Sequence, residues 1–371
     1  MALGELPDYP WDEMAPFAAR ARAHPDGIVD LSIGSPVDPT PEVVRSALAE
    51  ATDAHAYPQT AGTVRLREAI VAWYERRRGV TGLTEANVLP TIGSKEFVAW
   101  LPFMLGLGEG DVVVHPRAAY PTYAIGAQIA GATAFASDDP DEWPANTRLV
   151  WTNSPGNPDG RVLDLAALQR AVARARSLGA VIAGDECYAE LGWDGLWASE
   201  PVPSILDARV TGGDLTGVIA AYSLSKQSNL AGYRAAFAAG DPALVARLVT
   251  VRKHAGMIPP GPVQTAMVAA LGDDLHVAEQ KERYRARRDV LRPALERAGL
   301  RIDESAAGLY LWATEGRDAW STIEALATRG ILAGPGHFYG PYFPEHVRFS
   351  LTASDERIAA AASRLAASGL R

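Results

Sequence analysis

Three features of the sequence predict an α/β fold, with a large domain built on a mostly parallel sheet and a smaller α+β domain. Short apolar runs alternate with helix-length amphipathic segments through the middle of the chain, the pattern of β-α units that feed a parallel sheet. After Gly261 the texture changes to long charged helical stretches followed by isolated short strands. The length of 371 residues also exceeds what one ordinary core accommodates, which favours two units.

In chain order, residues 6–23 are amphipathic, and the Gly- and Pro-rich stretch 33–41 reads as a loop. A helix is expected over 94–106 with Ser94 as its N-cap, and another over 164–178 with Gly179 as its stop. Strands are expected over 111–115, 149–152, 180–185 and 218–222. A long charged helix over 275–298 and short strands over 309–313 and 347–351 complete the pattern. The expected division is an N-terminal segment with part of the small domain over 1–45, the large domain over 46–273 and the small C-terminal domain over 274–371.

Composition narrows the function classes. Hydrophobic residues at 48% and charged residues at 21% are a globular mix, so the whole chain is expected to fold. The 35 Lys and Arg against 44 Asp and Glu give a formal charge of −9, which disfavours nucleic acid and anionic membrane surfaces as partners. No apolar run is long enough to span a bilayer, and residues 1–12 lack the basic start and apolar core of a secretory signal. The expected location is the cytoplasm. One cysteine, Cys187, can form neither an internal disulfide nor a cysteine metal cluster, and a small buried thiol is its plain reading.

Several residues fall where an open α/β sheet places its ligands, beyond the carboxyl ends of strands. Lys226 directly follows the apolar run 218–221, with Ser223 and Ser225 beside it and Arg234 further on. Taken alone a lysine is a solvated surface charge, but one partly desolvated at a strand end has a lowered pKa and attacks carbonyls. Asp185 closes the run 180–185 and Tyr188 follows it, and Asn157 lies in the turn Asn153-Ser-Pro-Gly-Asn157-Pro-Asp-Gly160. The junction Thr91-Ile-Gly93-Ser94-Lys95 opens a helix, where free N–H groups and the helix dipole favour an anion. Arg348, inside the apolar run 347–351, is a charge that needs a partner if buried.

Ser223-Leu-Ser-Lys226-Gln-Ser-Asn-Leu-Ala-Gly-Tyr-Arg234 resembles the lysine signature of class I and II aminotransferases, the fold-type I enzymes dependent on pyridoxal 5'-phosphate (PLP). The resemblance implies that Lys226 carries the cofactor as a Schiff base and shuttles protons. It further implies that Ser223, Ser225, Arg234, Gly93, Ser94 and Lys95 surround the phosphate, the arginine through its planar fork. Asp185 would hold the ring nitrogen protonated, so that the ring acts as an electron sink. Tyr188 and Asn157 would meet the phenolic oxygen. Tyr120, in a stretch similar to the family's Pro-x-Tyr-Pro-x-Tyr, would stack on the ring. Arg348 and Gly34 would take the substrate α-carboxylate, with Asn157 beside them. Tyr57 would reach the phosphate in a neighbouring subunit, which implies a homodimer.

The more particular stretches 9–12, 24–31, 37–41, 89–96 and 119–123 resemble the succinyldiaminopimelate aminotransferases of lysine and diaminopimelate biosynthesis. The implied partners are amino acids and 2-oxo acids, and the implied reaction exchanges an amino group between glutamate and N-succinyl-2-amino-6-oxopimelate. That substrate carries further carboxylates, so another cation is expected, with Arg117, Lys95 and Arg20 or Arg22 as candidates. Other outcomes stay open. An aspartate or LL-diaminopimelate aminotransferase and a PLP-dependent carbon–sulfur lyase share the early chemistry, and a PLP-sensing regulator shares the fold.

Overall fold

The computed structural model of the protein describes residues 6–8 and 10–367; Tyr9, in one of the stretches quoted above, lies outside them. Its centre is a seven-stranded sheet in the order Val88–Ile92, Ala235–Gly240, Val218–Ser223, Val181–Asp185, Thr147–Asn153, Val112–His115, Thr133–Ala136. Six of the seven strands run in one direction, and Ala235–Gly240 alone is antiparallel to both of its neighbours. Strand Val218–Ser223 shows how the sheet is covered. Val218, Ala220 and Tyr222 enter the core shared with helices Val64–Trp73 and Leu165–Ser177, with Tyr222 against Trp73, and Ile219 and Ala221 enter the core on the opposite face, shared with helix Ser94–Met104. Apolar groups on both faces explain why this strand reads as a continuous apolar run.

A second sheet of four antiparallel strands, in the order Gly334–Pro335, His346–Ser350, Tyr310–Thr314, Arg301–Asp303, packs with helices Leu275–Arg297, Ala319–Ala327 and Asp355–Ala367. Met14, Ala18, Val29 and Leu31 join this core, and Val29–Asp30 pairs in parallel with Ile331–Leu332. Tyr188 and Cys187 also belong to it, although they follow a strand of the large sheet. The two cores therefore meet where strand Val181–Asp185 ends.

One expected cap is corrected. Gly93, not Ser94, is the N-cap of helix Ser94–Met104, and Ser94 is its first helical residue. Gly93 has φ 78°, a left-handed conformation that glycine adopts without a steric penalty, and the serine hydroxyl makes no cap there. The turn is fixed from beneath. Glu96 accepts the Ile92 N–H at 3.3 Å and both ends of the buried Arg252 guanidinium at 2.8 and 3.1 Å.

Candidate active site

A cavity of about 800 Å3 opens at the carboxyl ends of the parallel strands and reaches the second sheet, with Lys226, Asp185 and Arg348 among its lining residues. Strand Val218–Ser223 stops because the Ser223 side chain accepts the Ser225 N–H at 3.1 Å and starts the one-turn helix Leu224–Gln227, which carries Lys226. The Lys226 Nζ donates to the Gly34 carbonyl. Burial lowers the Lys226 pKa from its ordinary value; Tyr310 and Cys187 oppose that shift, and the positive charges of Arg348 and Arg234 add to it. A desolvated amine of this kind has the nucleophilic form within reach.

One end of the cavity is built for an anion. Ser94 stands at the start of an eleven-residue helix, with Ser223, Ser225 and Arg234 around it. A Cβ on Gly93 would lie 2.1 Å from Arg234 Nη2, so the glycine admits the guanidinium against the backbone of the turn. Arg234 is held in the left-handed region, φ 56°, and donates to the Ala231 carbonyl at 2.7 Å. Helix N–H groups, two hydroxyls and a guanidinium suit the oxygens of a phosphate.

The floor is a buried carboxylate. Asp185 pairs in register with Asn153 and Ala221 on the flanking strands, and it accepts from the Tyr123 hydroxyl at 2.8 Å and the Cys187 N–H at 3.3 Å. Burial raises its pKa, opposed by the hydrogen bonds from Cys187 and Tyr123. These partners are neutral, so a buried carboxylate faces the cavity with its charge uncompensated, and a protonated ring nitrogen is the kind of group that would compensate it. Burial likewise raises the Cys187 thiol well above its ordinary value, in keeping with an inert buried sulfur.

Opposite Lys226 lies Arg348, on strand His346–Ser350 and 3% exposed. Its Nη1 donates to Asn157 Oδ1 at 2.7 Å and its Nη2 to the Ser32 carbonyl at 2.7 Å, whereas the buried Nε meets no acceptor among the described residues. The guanidinium sits 3.9 Å over the Tyr310 ring and 4.8 Å over the Tyr339 ring. Arg348 thus keeps unspent donors in a rigid plane, the geometry that grips a carboxylate. Asn157 is fixed from its other side by its own N–H, which donates to Asn153 Oδ1 at 2.7 Å. With its side-chain oxygen taken by Arg348, its amide N–H groups are what it offers the cavity.

The cavity brings together Gly34, Ser94, Lys95, Tyr120, Asn157, Asp185, Tyr188, Ser223, Ser225, Lys226, Arg234 and Arg348. Tyr120 stands edge-to-face with Tyr123 at 6.1 Å, and the Lys95 ammonium lies 6.0 Å from the Tyr120 ring. Arg117 does not line the cavity of its own chain: its guanidinium pairs with Glu142 at 3.1 Å and its backbone N–H donates to Asp138. Arg20, engaged by Glu324, and Arg22 also stand outside the lining. Tyr57 is fully exposed and does not line the cavity of its own chain. Tyr123 and Tyr310 are additions that sequence reasoning misses. Tyr123 stands three residues after Tyr120 in the same stretch, which is a usable signal; nothing in the run 309–313 marks Tyr310.

A half-buried lysine after a strand end, a carboxylate under the cavity, an anion cup and an arginine clamp fit a PLP-dependent enzyme on a mixed, mostly parallel sheet. The chain belongs to the family of class I and II aminotransferases, whose model matches residues 26–365, and it is accordingly a PLP-dependent aminotransferase of that class. It is 55% identical over 362 residues to the 4-dedimethylamino-4-oxo-anhydrotetracycline transaminase OxyQ of Streptomyces rimosus, covering 97% of this chain and 99% of that one. A probable aminotransferase of Mycobacterium tuberculosis is 55% identical, over 97% of this chain and 85% of its own length. Among solved structures, a probable N-succinyldiaminopimelate aminotransferase from Thermus thermophilus superposes with a TM-score of 0.85 at 30% identity, over 96% of this chain and 99% of that one.

Proposed function

We propose that this aminotransferase binds its cofactor covalently at Lys226 and exchanges amino groups between glutamate and a 2-oxo acid whose α-carboxylate is held by Arg348. The observation that carries the reading is the half-buried, desolvated Lys226 amine in one cavity with the buried Arg348 guanidinium. When bound, PLP supplies a carbonyl that takes up the amino group and a ring that withdraws electrons from the substrate carbon. Lys226 then moves the proton at the substrate α-carbon. Asp185 holds a proton on the ring nitrogen, Tyr188 and Asn157 donate to the phenolic oxygen, and Tyr120 covers the ring. The N–H groups of Ser94 and Lys95, with Ser223 and Arg234, hold the phosphate. The test is spectroscopic: glutamate should bleach the visible band of the purified enzyme, and the correct oxo acid should restore it. A Lys226→Ala protein that still gave a single borohydride-reducible adduct and transaminated normally would refute the assignment.

For the acceptor, the proposed substrate is N-succinyl-2-amino-6-oxopimelate, which places the enzyme in diaminopimelate and lysine biosynthesis. The volume of the cavity and the Lys95 ammonium in its lining, a cation beyond Arg348, support this choice. A second reading is a bulky cyclic ketone, favoured by the apolar flank of Trp11, Ile125, Ile129 and Phe338 and by the 55% identity to a transaminase named for such a compound. Restoring the band with each acceptor in turn decides between them. Steady pyruvate release from cystathionine would instead indicate a carbon–sulfur lyase. No helix of the described residues is long and apolar enough to cross a membrane. We further propose a cytoplasmic homodimer in which the exposed Tyr57 serves the partner's cavity.

A further inference from the structure

We propose that Tyr310 is a positioning residue whose hydroxyl orients the Tyr188 hydroxyl toward the cofactor and whose ring fixes the plane of Arg348. The inference rests on the proposed placing of the cofactor at Lys226. Tyr310 lies on the strand next to Arg348, where Trp312 pairs with Arg348 and Tyr310 with Ser350. Its ring stacks under the guanidinium at 3.9 Å, and its hydroxyl is 3.3 Å from that of Tyr188. The same hydroxyl presses on Gly34, where a Cβ would lie 2.2 Å from it, and the Gly34 carbonyl receives the Lys226 ammonium. One phenol therefore touches the three pieces proposed to meet the cofactor's phenolic oxygen, the covalent anchor and the substrate carboxylate.

The direction of the hydrogen bond follows from the charges around the pair. Tyr310 faces Arg348 and Lys226, with Cys187 and Tyr188 beside it, and against its burial these cations lower its pKa. Tyr188 faces Tyr310, Cys187 and Asp185, and burial followed by these neighbours raises its pKa. Between two neutral phenols the more acidic one donates, so the Tyr310 O–H points at the Tyr188 oxygen. The Tyr188 hydrogen is then left for the cavity, and its donation is strengthened because its oxygen already accepts.

The experiment is a pH titration of the visible absorption of the bound PLP in the parent enzyme and in Tyr310→Phe. A donor to the phenolic oxygen stabilises that oxygen as an anion and so favours loss of the neighbouring nitrogen's proton. Weakening the donor should move the absorption midpoint upward by about half a pH unit, as expected for part of one neutral hydrogen bond. In a Tyr188→Phe background the same replacement should add no shift, since the effect runs through Tyr188. Gly34→Ala pushes the Tyr310 hydroxyl away from the other side and should also raise the midpoint, which keeps the test alive if Tyr310→Phe does not fold. Tyr310→Leu, which removes the stacked ring, should raise KM for glutamate more than it lowers kcat. An unchanged midpoint in both Tyr310→Phe and Gly34→Ala, or an equal shift in the Tyr188→Phe background, overturns the inference. A parent enzyme without a Lys226-dependent absorption overturns the cofactor placement beneath it instead.

Discussion

The Tyr123 hydroxyl donates to Asp185 Oδ2 at 2.8 Å, and its ring stacks on Trp151 at 5.2 Å, so the phenol is fixed from two sides. A hydrogen bond to an ionised carboxylate contributes about 1.5–3 kcal/mol. Tyr123→Phe should therefore slow transamination roughly tenfold or more, with the cofactor still bound. The bond lowers the Asp185 pKa, so losing it lets the pKa rise further. The proposed role of Asp185 calls for its ionised form, so the acid limb of the kcat/KM profile should move to higher pH. A profile superimposable on the parent's would show that the hydroxyl has no part in holding Asp185.

Arg348→Lys keeps the charge and discards the fork that reaches Asn157 and Ser32. Lysine is a point charge without bidentate geometry, so KM for amino and oxo acids should rise by about ten- to a hundredfold. The loss should be shared by every substrate that has an α-carboxylate, whatever its far end, and saturation kinetics with two different donors would reveal it.

Asp159 is a stability element outside the catalytic cluster. Burial raises its pKa from 3.8 to about 6, against a hydrogen bond from the Arg161 N–H. A folded pKa above the unfolded one means that the protonated form favours folding. That contribution is complete below about pH 4 and is lost as pH rises through about 6, a change of roughly 3 kcal/mol. Asp159→Asn keeps an acceptor for Arg161 and removes the ionisation. Its melting temperature should exceed the parent's near pH 7.5, with the difference shrinking toward pH 4.

The proposed role of Tyr57 is tested by mixing subunits. Lys226→Ala and Tyr57→Ala homodimers should each be impaired. A hybrid of the two contains one site with an intact lysine from one chain and an intact tyrosine from the other, so mixing should restore activity. If Tyr57 served its own chain, or no site at all, no restoration would appear.

The strand ends that carry Asp185 and Lys226 can be read from the sequence because strands buried on both faces are written as apolar runs. Strand Ala235–Gly240 escapes that reading: four of its six residues are alanine, a weak strand former that cannot be told from helix without its partners. Residue type points to Ser94 as the cap of its helix, whereas backbone conformation gives the position to Gly93. Arg117 looks available in the sequence only because Glu142 and Asp138, distant along the chain, cannot be paired with it beforehand. Tyr310 depends on the antiparallel register that sets its strand beside Arg348, and no local pattern encodes that register.

The apolar flank of the cavity includes Ile125 and Ile129 on helix Thr122–Ala130 and Trp11 near the N-terminus, while Asp185 ends one strand of the large sheet and Lys226 sits in the turn of helix that follows its neighbour. On the roles proposed above, the residues that handle the reacting carbon and the apolar surface that would meet an acceptor's far end therefore lie on separate parts of the chain. Replacing Ile125, Ile129 or Trp11 should retarget the enzyme to new ketones without disturbing its reaction with glutamate, which makes that flank the place where laboratory evolution of substrate range would start.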